Sequence, residues 1–362
     1  MLKVACLVPH PVASPSSRIR VAQYAPLLRS WGIELEVAPF FDDGSFSRLY
    51  EAGAGRRAAD ASAGFLRRLR QIRRARDADA ILIHREVAPF ASGPFVRALA
   101  NGPPVLFDLD DAVFLPAHGG NPLLRLVRRP EAETVALVRL AKLCLAGNAY
   151  LAEFVRRAGG RAVHLPTTVD TEVFRAPTAP RAAGDAVRIS WVGTHSTQGY
   201  LDMLAPALAA LASEVQVEIT IVSNRPPQSL AGLPVRGVRW SLDAELSYFQ
   251  EADVGLYPLP DDAWTRGKCG GKAVQYLACE VPVIASPVGV LTDLVRDGVT
   301  GFLAADGDAW LTALRMLSGD ASLRRRMGAA GRALVEERYS LRKGAEVLAA
   351  AIRDVVGIGE AP

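Results

Sequence analysis

Cysteine and long apolar runs are scarce in this sequence. The 362 residues include four cysteines, Cys6, Cys144, Cys269 and Cys279, and no two of them have the CxxC spacing of a redox or zinc motif. We therefore expect reduced thiols rather than disulfides or a cysteine metal site. No uncharged apolar run reaches the roughly 18 residues that span a bilayer, and the apolar N-terminus is too short for a signal peptide. These absences predict a cytoplasmic protein.

The sequence also lacks a strong excess of one charge. The formal net charge is +4, and much of the positive charge lies in one segment, so composition gives no reason to expect a nucleic-acid partner. With 50% apolar residues over 362 positions, the chain can bury two ordinary cores. Two domains are therefore expected.

Short apolar runs alternate with helical segments, as in doubly wound α/β domains. The first half has predicted strands at 4–8, 34–40, 80–84, 104–109 and 143–146, with a helix at 21–28. A stretch rich in proline and alanine, 171–187, is typical of a linker. The second half has a predicted helix at 200–211 and strands at 188–193, 217–222, 254–257 and 281–285. We expect Rossmann-like domains at 1–170 and 188–340, and a C-terminal helix within 341–362 that could pack back on the first domain.

Two glycine-containing turns follow consecutive predicted strands of the second domain. Cys269, Gly270 and Gly271 precede a helix that ends at Ala278, and residues 286–289, which include Val288 and Gly289, precede another helix. Both helix N-termini would lie at the carboxyl edge of a parallel sheet, where unpaired N–H groups and the helix dipole attract anions. The pattern predicts a phosphate site.

Two lysines flank this glycine turn. Lys272 and Gln275 are three residues apart and should share one helix face, opposite Val274, Leu277 and Ala278. Lys268 stands just before the helix. An ammonium group suits phosphate, whereas lysines in general are solvated at the surface. The surrounding glycines favour the phosphate role.

The loop after predicted strand 188–193 contains Gly193, Thr194, His195, Ser196 and Thr197. Ser196 or Thr197 is most simply a helix N-cap, worth about 1 kcal/mol, although a hydroxyl in that position also faces the anion site. Gly193 is either a turn glycine or a point of close backbone approach. His195 is either a phosphate contact or an exposed loop histidine.

Three aspartates, Asp108, Asp110 and Asp111, end a predicted strand in the first domain. Asp-x-Asp is a metal-binding signature in one class of nucleotide-sugar enzymes, but those enzymes have one nucleotide domain, and two domains are expected here. We therefore expect no metal, and a substrate-facing role at the cleft between the domains, with Asp110 as an orienting base. Helix capping by Asp108 or Asp111 is the alternative. His84, at the end of the preceding strand, is a candidate for the same wall.

An arginine-rich segment carries six arginines between residues 67 and 76, with Phe65, Leu69 and Ile72 on one stripe. One interpretation is a core-facing helix with a solvated basic face. The other is a basic face that rests on anionic lipid at the inner face of a membrane. No aromatic residues alternate with the arginines, which disfavours nucleic acid.

Three features resemble the C-terminal domain of retaining GT-B glycosyltransferases of family four, glycosyl transferases group 1. They are the block GKCGGKAVQYLACEVPVIASPVG, the later DGVTGFL and Gly193. Three segments of the first half are similar, less specifically, to a bacterial subgroup of that family: SSRIRVAQYAPLL, FDLDDAVF and GNAYLAEF. The family's E-x7-E pair, one Glu for the sugar and one for the ribose, falls here at Gly267 and Gln275. The family's Arg and Lys for the pyrophosphate have no counterpart in the Gly193 loop.

The resemblance implies a GT-B fold, two Rossmann-like domains facing each other across a cleft. It also implies transfer of a sugar, with retention, from a nucleoside-diphosphate-sugar donor to a glycan or lipid-linked acceptor in polysaccharide biosynthesis, with no cofactor. We expect Lys272 and Asp110 to be catalytic. The expected donor-site residues are Gly193, Thr194, His195, Ser196, Lys268, Cys269, Gly270, Gly271, Lys272, Gln275, Val288 and Gly289. The expected acceptor-side residues are Ser17, Arg18, Arg20, His84, Asp108 and Asp111.

Two alternatives of other classes remain open. A nucleotide-sugar isomerase of the same fold would form product from the donor alone. A non-catalytic nucleotide-sugar-binding protein would bind the donor without turnover. No GxGxxG follows a predicted strand, which disfavours a Rossmann dehydrogenase.

Overall fold

Two parallel six-stranded sheets carry the fold. In the computed structural model, the described residues are 1–49, 52–89, 92–116, 130–177 and 186–358. The chain divides into two units. The first unit comprises Met1–Thr167, Gly267–Cys269 and Leu341–Pro362, and the second comprises Thr168–Arg266 and Gly270–Ser340. Residues 178–185 of the expected linker lie outside the described part of the chain.

The first sheet has the order β2-β1-β3-β4-β5-β6. Its strands are β1 Leu2–Val8, β2 Ile33–Pro39, β3 Ala80–His84, β4 Val105–Leu109, β5 Leu143–Ala146 and β6 Ala162–His164. The helices between them are α1 Pro15–Arg20, α2 Ala25–Ser30, α3 Asp43–Ser47, α4 Ala54–Arg74, α5 Gly93–Leu99, α6 Pro130–Leu140 and α7 Ala149–Arg157. Central strands such as β3 are buried along their whole length, as expected for a sheet covered on both faces.

The second sheet has the order β11-β8-β7-β12-β13-β14. Its strands are β7 Val187–Val192, β8 Val217–Ser223, β11 Arg236–Arg239, β12 Val254–Tyr257, β13 Val283–Ala285 and β14 Gly301–Leu303, beside a small hairpin of β9 Ser229–Leu230 and β10 Leu233–Pro234. The helices are α8 Ala205–Glu214, α9 Glu245–Gln250, α10 Ala263–Arg266, α11 Gly271–Ala278, α12 Leu291–Leu294, α13 Gly307–Gly319 and α14 Ala321–Arg338.

The last helix, α15 Leu341–Val356, belongs to the first unit. Its apolar side chains Leu348, Ile352 and Val355 are buried in one core with Val4 and Leu82 of the first sheet. Burying a side chain of this size stabilises a fold by about 1.5–3 kcal/mol. The C-terminal helix therefore contributes a substantial part of the first unit's core.

The apolar runs located the central strands well. Strands β3, β5 and β12 have the predicted bounds, and the other predicted strands agree within two residues. Five strands were not predicted: β6, β11 and β14 at the edges of the two large sheets, and β9 and β10 of the hairpin. All five have four residues or fewer, and such short strands carry little periodic signal.

Two predicted helices are interrupted. The expected helix at 21–28 consists of a 3-10 turn, Ala22–Tyr24, followed by α2. The expected helix at 200–211 begins as a 3-10 segment, Gln198–Leu204, before α8. Pro26 and Pro206 lie in the first turns of α2 and α8, where a missing N–H is tolerated, so each proline starts a new helix.

We predict that Gly328 is required for the packing of α14. A Cβ at this position would lie 2.1 Å from the backbone oxygen of Glu280, which cannot rotate aside. Gly328→Ala should therefore lower the free energy of unfolding by about 1–3 kcal/mol. Gly319→Ala is the control, because its Cβ would meet nothing within 4 Å and alanine has the better helix propensity. Equal stability of the two variants in urea unfolding would contradict the prediction.

Candidate functional site

Each sheet has one point where the strand order reverses. In the first sheet the chain runs from β1 to β2 on one side and then to β3 on the other, and in the second sheet β7 stands between β8 and β12 in the same way. Ligands of open α/β sheets bind outside the carboxyl ends of the strands at such points. The sequence-predicted residues lie at these two edges and are described unit by unit.

In the second unit, α11 begins at a glycine with left-handed backbone. Gly270 has φ of 68°, and a Cβ there would lie 2.1 Å from the Leu294 side chain. Gly271 is the first helical residue. Glycine therefore suits this turn, because its backbone is left-handed and a larger side chain would collide with Leu294. The N-cap residue, Gly270, has no side chain to make a hydrogen bond to the first N–H groups of the helix.

Lys272 lies in the first turn of α11 within a polar cluster. Its Nζ donates to Gln275 Oε1 at 3.1 Å and lies 3.8 Å from Glu245 Oε1. The ammonium is also 5.5 Å from the ring centroid of Phe249. These contacts hold the charge near the helix N-terminus, as the glycine and lysine pattern predicted.

Gln275 is fully buried, and within the described part of the chain its Nε2 has no hydrogen-bond partner. An unmade hydrogen bond on a buried donor is costly, so this amide points to a missing acceptor. Glu245, buried at 5% exposure, was not predicted. It lies on α9, outside any motif, and only the folded chain brings it to Lys272.

Lys272 and Gln275 share one face of α11, as predicted, and the opposite face of Val274, Leu277 and Ala278 is buried, but Gln275 on the polar face is buried as well. Residues 273–278 are all buried. Tyr276 donates to the backbone oxygen of Ser190 at 3.0 Å. The helix is enclosed on all sides except near Gly271 and Lys272 because it packs in the centre of the second core.

The loop after β7 is held by backbone and side-chain bonds. His195 N donates to Asn224 Oδ1 at 2.9 Å, and the hydroxyls of Thr194 and Ser196 are 2.8 Å apart. Thr197 stands at the helix N-cap but makes no capping hydrogen bond, so the expected hydroxyl cap is wrong. A Cβ at Gly193 would lie 2.3 Å from the Trp191 ring, which explains the glycine.

The turn after β13 leads to another helix, as predicted. This helix, α12, is a single turn of four residues, so its N-terminus adds little dipole. Val288 is buried at 4% exposure. Gly289 has φ of 55°, and a Cβ there would lie 3.0 Å from Arg266 O, so the turn itself requires glycine.

Lys268 and Cys269 do not join this cluster, because they belong to the first unit. Lys268 Nζ donates to Asp111 Oδ2 at 2.9 Å, and its backbone oxygen accepts from Asn148 Nδ2 at 3.0 Å. Cys269 is buried, with its thiol pKa raised by burial, and a Cβ on Gly147 would lie 2.3 Å from its sulfur. The expected donor set is thus divided.

The carboxyl edge of the first sheet holds a buried chain of polar groups. Asp108 and Arg20 form an ion pair in which each side chain is 1% exposed. His84 Nδ1 lies 2.7 Å from Asp108 Oδ2, and His84 Nε2 lies 2.6 Å from Ser16 Oγ. Burial raises the pKa of Asp108, but Arg20 and His84 together outweigh it and lower the pKa below its usual value.

Asp110 forms a second pair with Arg85. Arg85 Nε and Nη2 lie 2.5 Å and 2.8 Å from the two carboxylate oxygens. Burial acts to raise the pKa of Asp110, yet Arg85 holds it well below its usual range. A carboxylate held ionised in this way is a poor proton acceptor, so the geometry does not support Asp110 as a base. Arg85 has φ of 63°, a strained conformation often found at functional sites.

Most of the expected acceptor-side residues are inaccessible. Ser17, Arg20, His84 and Asp108 are buried, and Ser17 Oγ donates to His10 O at 2.8 Å. These four cannot touch an acceptor directly. Asp111 is 9% exposed, and Arg18 is half-buried.

No group of three or more His, Cys, Asp or Glu side chains that could hold a metal ion occurs among the described residues. The three aspartates are each bonded to a cation, Asp108 to Arg20, Asp110 to Arg85 and Asp111 to Lys268. Their charge is therefore already balanced within the first unit.

The arginine-rich segment is the C-terminal half of α4. Ile72 is buried, but Leu69 is 46% exposed, so its expected place on a core-facing stripe is wrong. Arg68 is buried and donates to Val8 O at 2.7 Å, and Arg67 pairs with Asp42. Arg70, Arg73 and Arg74 are exposed. Over the described ranges, no helix is long and apolar enough to cross a membrane.

We predict that the buried ion pair cannot lose one partner. Arg20→Leu would leave the Asp108 carboxylate buried without its guanidinium, which should lower the free energy of unfolding by about 3–5 kcal/mol. Arg161→Leu is the control, because Arg161 and Asp354 form a pair whose side chains are 70% and 49% exposed, and such pairs contribute about 0–1 kcal/mol. Denaturant unfolding compares them, and similar losses would contradict the prediction.

Comparison with known proteins supports the fold and shows what the second unit is similar to. Residues 186–320 match the family model described as Glycosyl transferases group 1. The D-inositol 3-phosphate glycosyltransferase of Nocardia farcinica is 30% identical over 152 residues, which are 41% of this chain and 29% of that protein. The chain thus spans about a third of the length of the curated relatives it matches.

Solved structures resemble the whole chain. The sucrose-phosphate synthase of Thermosynechococcus elongatus has a TM-score of 0.72 at 16% identity, covering 99% of this chain and 100% of that one. Anabaena HepE in complex with UDP-glucose has a TM-score of 0.66 at 15% identity, covering 98% and 100%. The chain therefore has the two Rossmann-like domains of the GT-B fold, and its second unit is similar to the Glycosyl transferases group 1 domain.

Proposed function

We propose that the protein is a glycosyltransferase that takes its sugar from a nucleoside-diphosphate-sugar donor. One observation carries this proposal: Lys272 and the buried amide of Gln275 stand at the start of α11, at the switch point of the second sheet. The match of residues 186–320 to Glycosyl transferases group 1 supports it. So does the likeness to HepE, which was solved with UDP-glucose.

The cluster around Lys272 suits a diphosphate leaving group. The N–H groups after Gly270 and the ammonium of Lys272 present positive charge from fixed positions, which stabilises negative charge that develops as a glycosidic bond breaks. Gln275 Nε2 is a donor to which no described residue provides an acceptor, and a ribose hydroxyl is a suitable acceptor. In this proposal the second unit binds the donor.

The acceptor, a glycan or lipid-linked saccharide, is assigned to the first unit, and transfer proceeds with retention, as the family resemblance implies. Transfer needs no divalent cation held by the first unit's aspartates, since each is bonded to an arginine or a lysine. A nucleotide-sugar isomerase would differ by converting the donor without any acceptor, which product analysis distinguishes.

Lys272→Ala is expected to weaken nucleoside diphosphate binding. Loss of a charge-assisted contact to phosphate costs about 1.5–3 kcal/mol, roughly tenfold or more in Kd. Thermal shift with UDP, GDP and ADP identifies the preferred nucleotide, since a ligand at 100 times its Kd adds about 2.7 kcal/mol of stability. Calorimetric titration then gives both Kd values. Lys343→Ala, at a 53% exposed lysine, should bind normally. Unchanged affinity of Lys272→Ala would refute the site.

Association with an anionic membrane surface through α4 is a separate part of the proposal. Leu66 and Leu69 are 59% and 46% exposed, beside the exposed Arg70, Arg73 and Arg74. An apolar pair flanked by arginines matches the pattern of helices that lie in the membrane interface. Such contact would bring the protein to a lipid-linked acceptor.

Changing Arg70 and Arg73 together to Glu should abolish co-sedimentation with phosphatidylglycerol vesicles. Each basic residue near such a surface contributes about 1 kcal/mol, so two losses reduce binding roughly thirtyfold. Added salt should release the unmodified protein, because exposed charges are screened beyond about 8 Å at physiological ionic strength. The control is the double change of Arg156 and Arg157 to Glu on α7, where both arginines pair with Glu153. Equal binding to neutral vesicles would argue against a lipid surface.

A further inference from the structure

The second sheet has a polar patch on one face, near the amino ends of its strands. Arg188 of β7 lies beside Glu218 of β8, and Ser190 lies beside Thr220. Arg236 of β11 lies beside Thr220 on its other side. Side chains alternate between the two faces along a strand, so these five share one face. A parallel sheet covered by helices usually has apolar side chains on both faces, so the patch indicates a purpose other than packing a core.

A cavity of about 260 Å³ lies between this polar patch and α9. All five residues of the patch line it, together with Ser247 and Tyr248 of α9 and the following Glu251. One water takes about 30 Å³, so the cavity has room for a small organic molecule. Lys272 and Gln275 lie outside this lining, at the carboxyl edge of the sheet. The cavity is therefore separate from the proposed donor site.

The two arginines on the cavity wall are held to different degrees. Arg188 donates to Asp253 through Nε at 3.0 Å and Nη2 at 3.3 Å, and its backbone N–H donates to the same carboxylate. Arg236 Nη1 donates to Glu251 Oε2 at 3.3 Å, and these two side chains are 64% and 53% exposed. An exposed pair of this kind is weak, so Arg236 can release Glu251 and bind another carboxylate.

Glu218 and Thr220 bring hydrogen-bond acceptors to the same wall. Arg188 is the register neighbour of Glu218 but turns to Asp253 instead. Across the described residues, neither the Glu218 carboxylate nor the Thr220 hydroxyl has a hydrogen bond or an ion pair. An ammonium group has three hydrogens to donate and accepts none, so it suits this pair of acceptors. The wall thus offers both an anion and a cation to one bound molecule.

We propose that this cavity binds a small zwitterion, a molecule with one ammonium and one carboxylate group such as a free α-amino acid. The ammonium donates to Glu218 and Thr220, and the carboxylate accepts from Arg236. By strand geometry the Cα atoms of Glu218 and Arg236 are about 8 Å apart, a span that two long side chains can close around such a molecule. Val238 and Ala244 add apolar wall for its side chain. This site goes beyond the proposed function, since it takes no part in sugar transfer.

Thermal shift of the full chain with glycine, valine, leucine, serine, glutamate and lysine identifies the amino acid that binds best, since a ligand of the folded state raises Tm. Calorimetric titration then compares that amino acid with its N-acetyl derivative, which lacks the ammonium group, and with its amide, which lacks the carboxylate. Each derivative should bind roughly tenfold more weakly or worse, the scale of a lost charge-assisted hydrogen bond. No shift with any of these amino acids, or equal Kd values for the amino acid and a derivative, would overturn the proposal.

Two exposed residues of the cavity wall allow variants that keep the fold. Glu218→Gln and Arg236→Gln should each raise the Kd of the amino acid about tenfold and leave Tm unchanged, since both side chains are exposed. Glu337→Gln, at an exposed glutamate of α14 outside the cavity, is the control. Lys272→Ala, which tests the donor site, should also bind the amino acid normally. An unchanged Kd in either cavity variant, or loss of amino-acid binding in Lys272→Ala, would refute the site.

Discussion

The first unit depends on one electrostatic constraint: a charge taken out of water must find an opposite charge and hydrogen bonds. Arg20 and Asp108 meet this constraint for each other, and Arg20 also donates to Leu165 O at 2.9 Å. The pair thereby fixes α1 against β4 and against the chain that follows β6. Because Asp108 also accepts from His84, the same carboxylate determines which imidazole nitrogen faces outward. Packing and chemistry at this sheet edge are therefore set by one ion pair.

The second unit satisfies the same constraint less completely. Lys272 has Glu245 and Gln275 as neighbours, but the amide nitrogen of Gln275, Nε2, has no hydrogen-bond partner among the described residues. A buried network with one unsatisfied donor is less stable than a closed one. The two sheet edges differ in how their charges are balanced. Each of the three aspartates of the first edge is paired with a cation, whereas the second edge has a buried amide donor, Gln275 Nε2, without a partner among the described residues.

Strands and helix starts, which depend on neighbouring residues, could be predicted from the sequence. Contacts between residues far apart in the chain could not. Alternating apolar runs located the central strands, and glycines beside Lys272 located the start of α11. Arg20 and Asp108 are 88 positions apart, so their pairing has no local signal. Ser16 and Ser17 are adjacent and chemically identical, and only the phase of α1 decides that Ser16 faces His84. Lys268 was assigned to phosphate because its partner, Asp111, is 157 residues away.

The packing around Gly267 leaves no room for a side chain at this position, where the chain departs from the family pattern. The resemblance puts a sugar-holding glutamate at this position, but a Cβ on Gly267 would lie 2.6 Å from Ala112 Cβ and 2.9 Å from Ala112 N. The second contact is with backbone, so a smaller residue at 112 would not relieve it. A glutamate therefore cannot be introduced at position 267 by a single substitution, since the turn after Asp111 would have to move first. Any sugar selectivity of this chain must then depend on side chains other than that of residue 267.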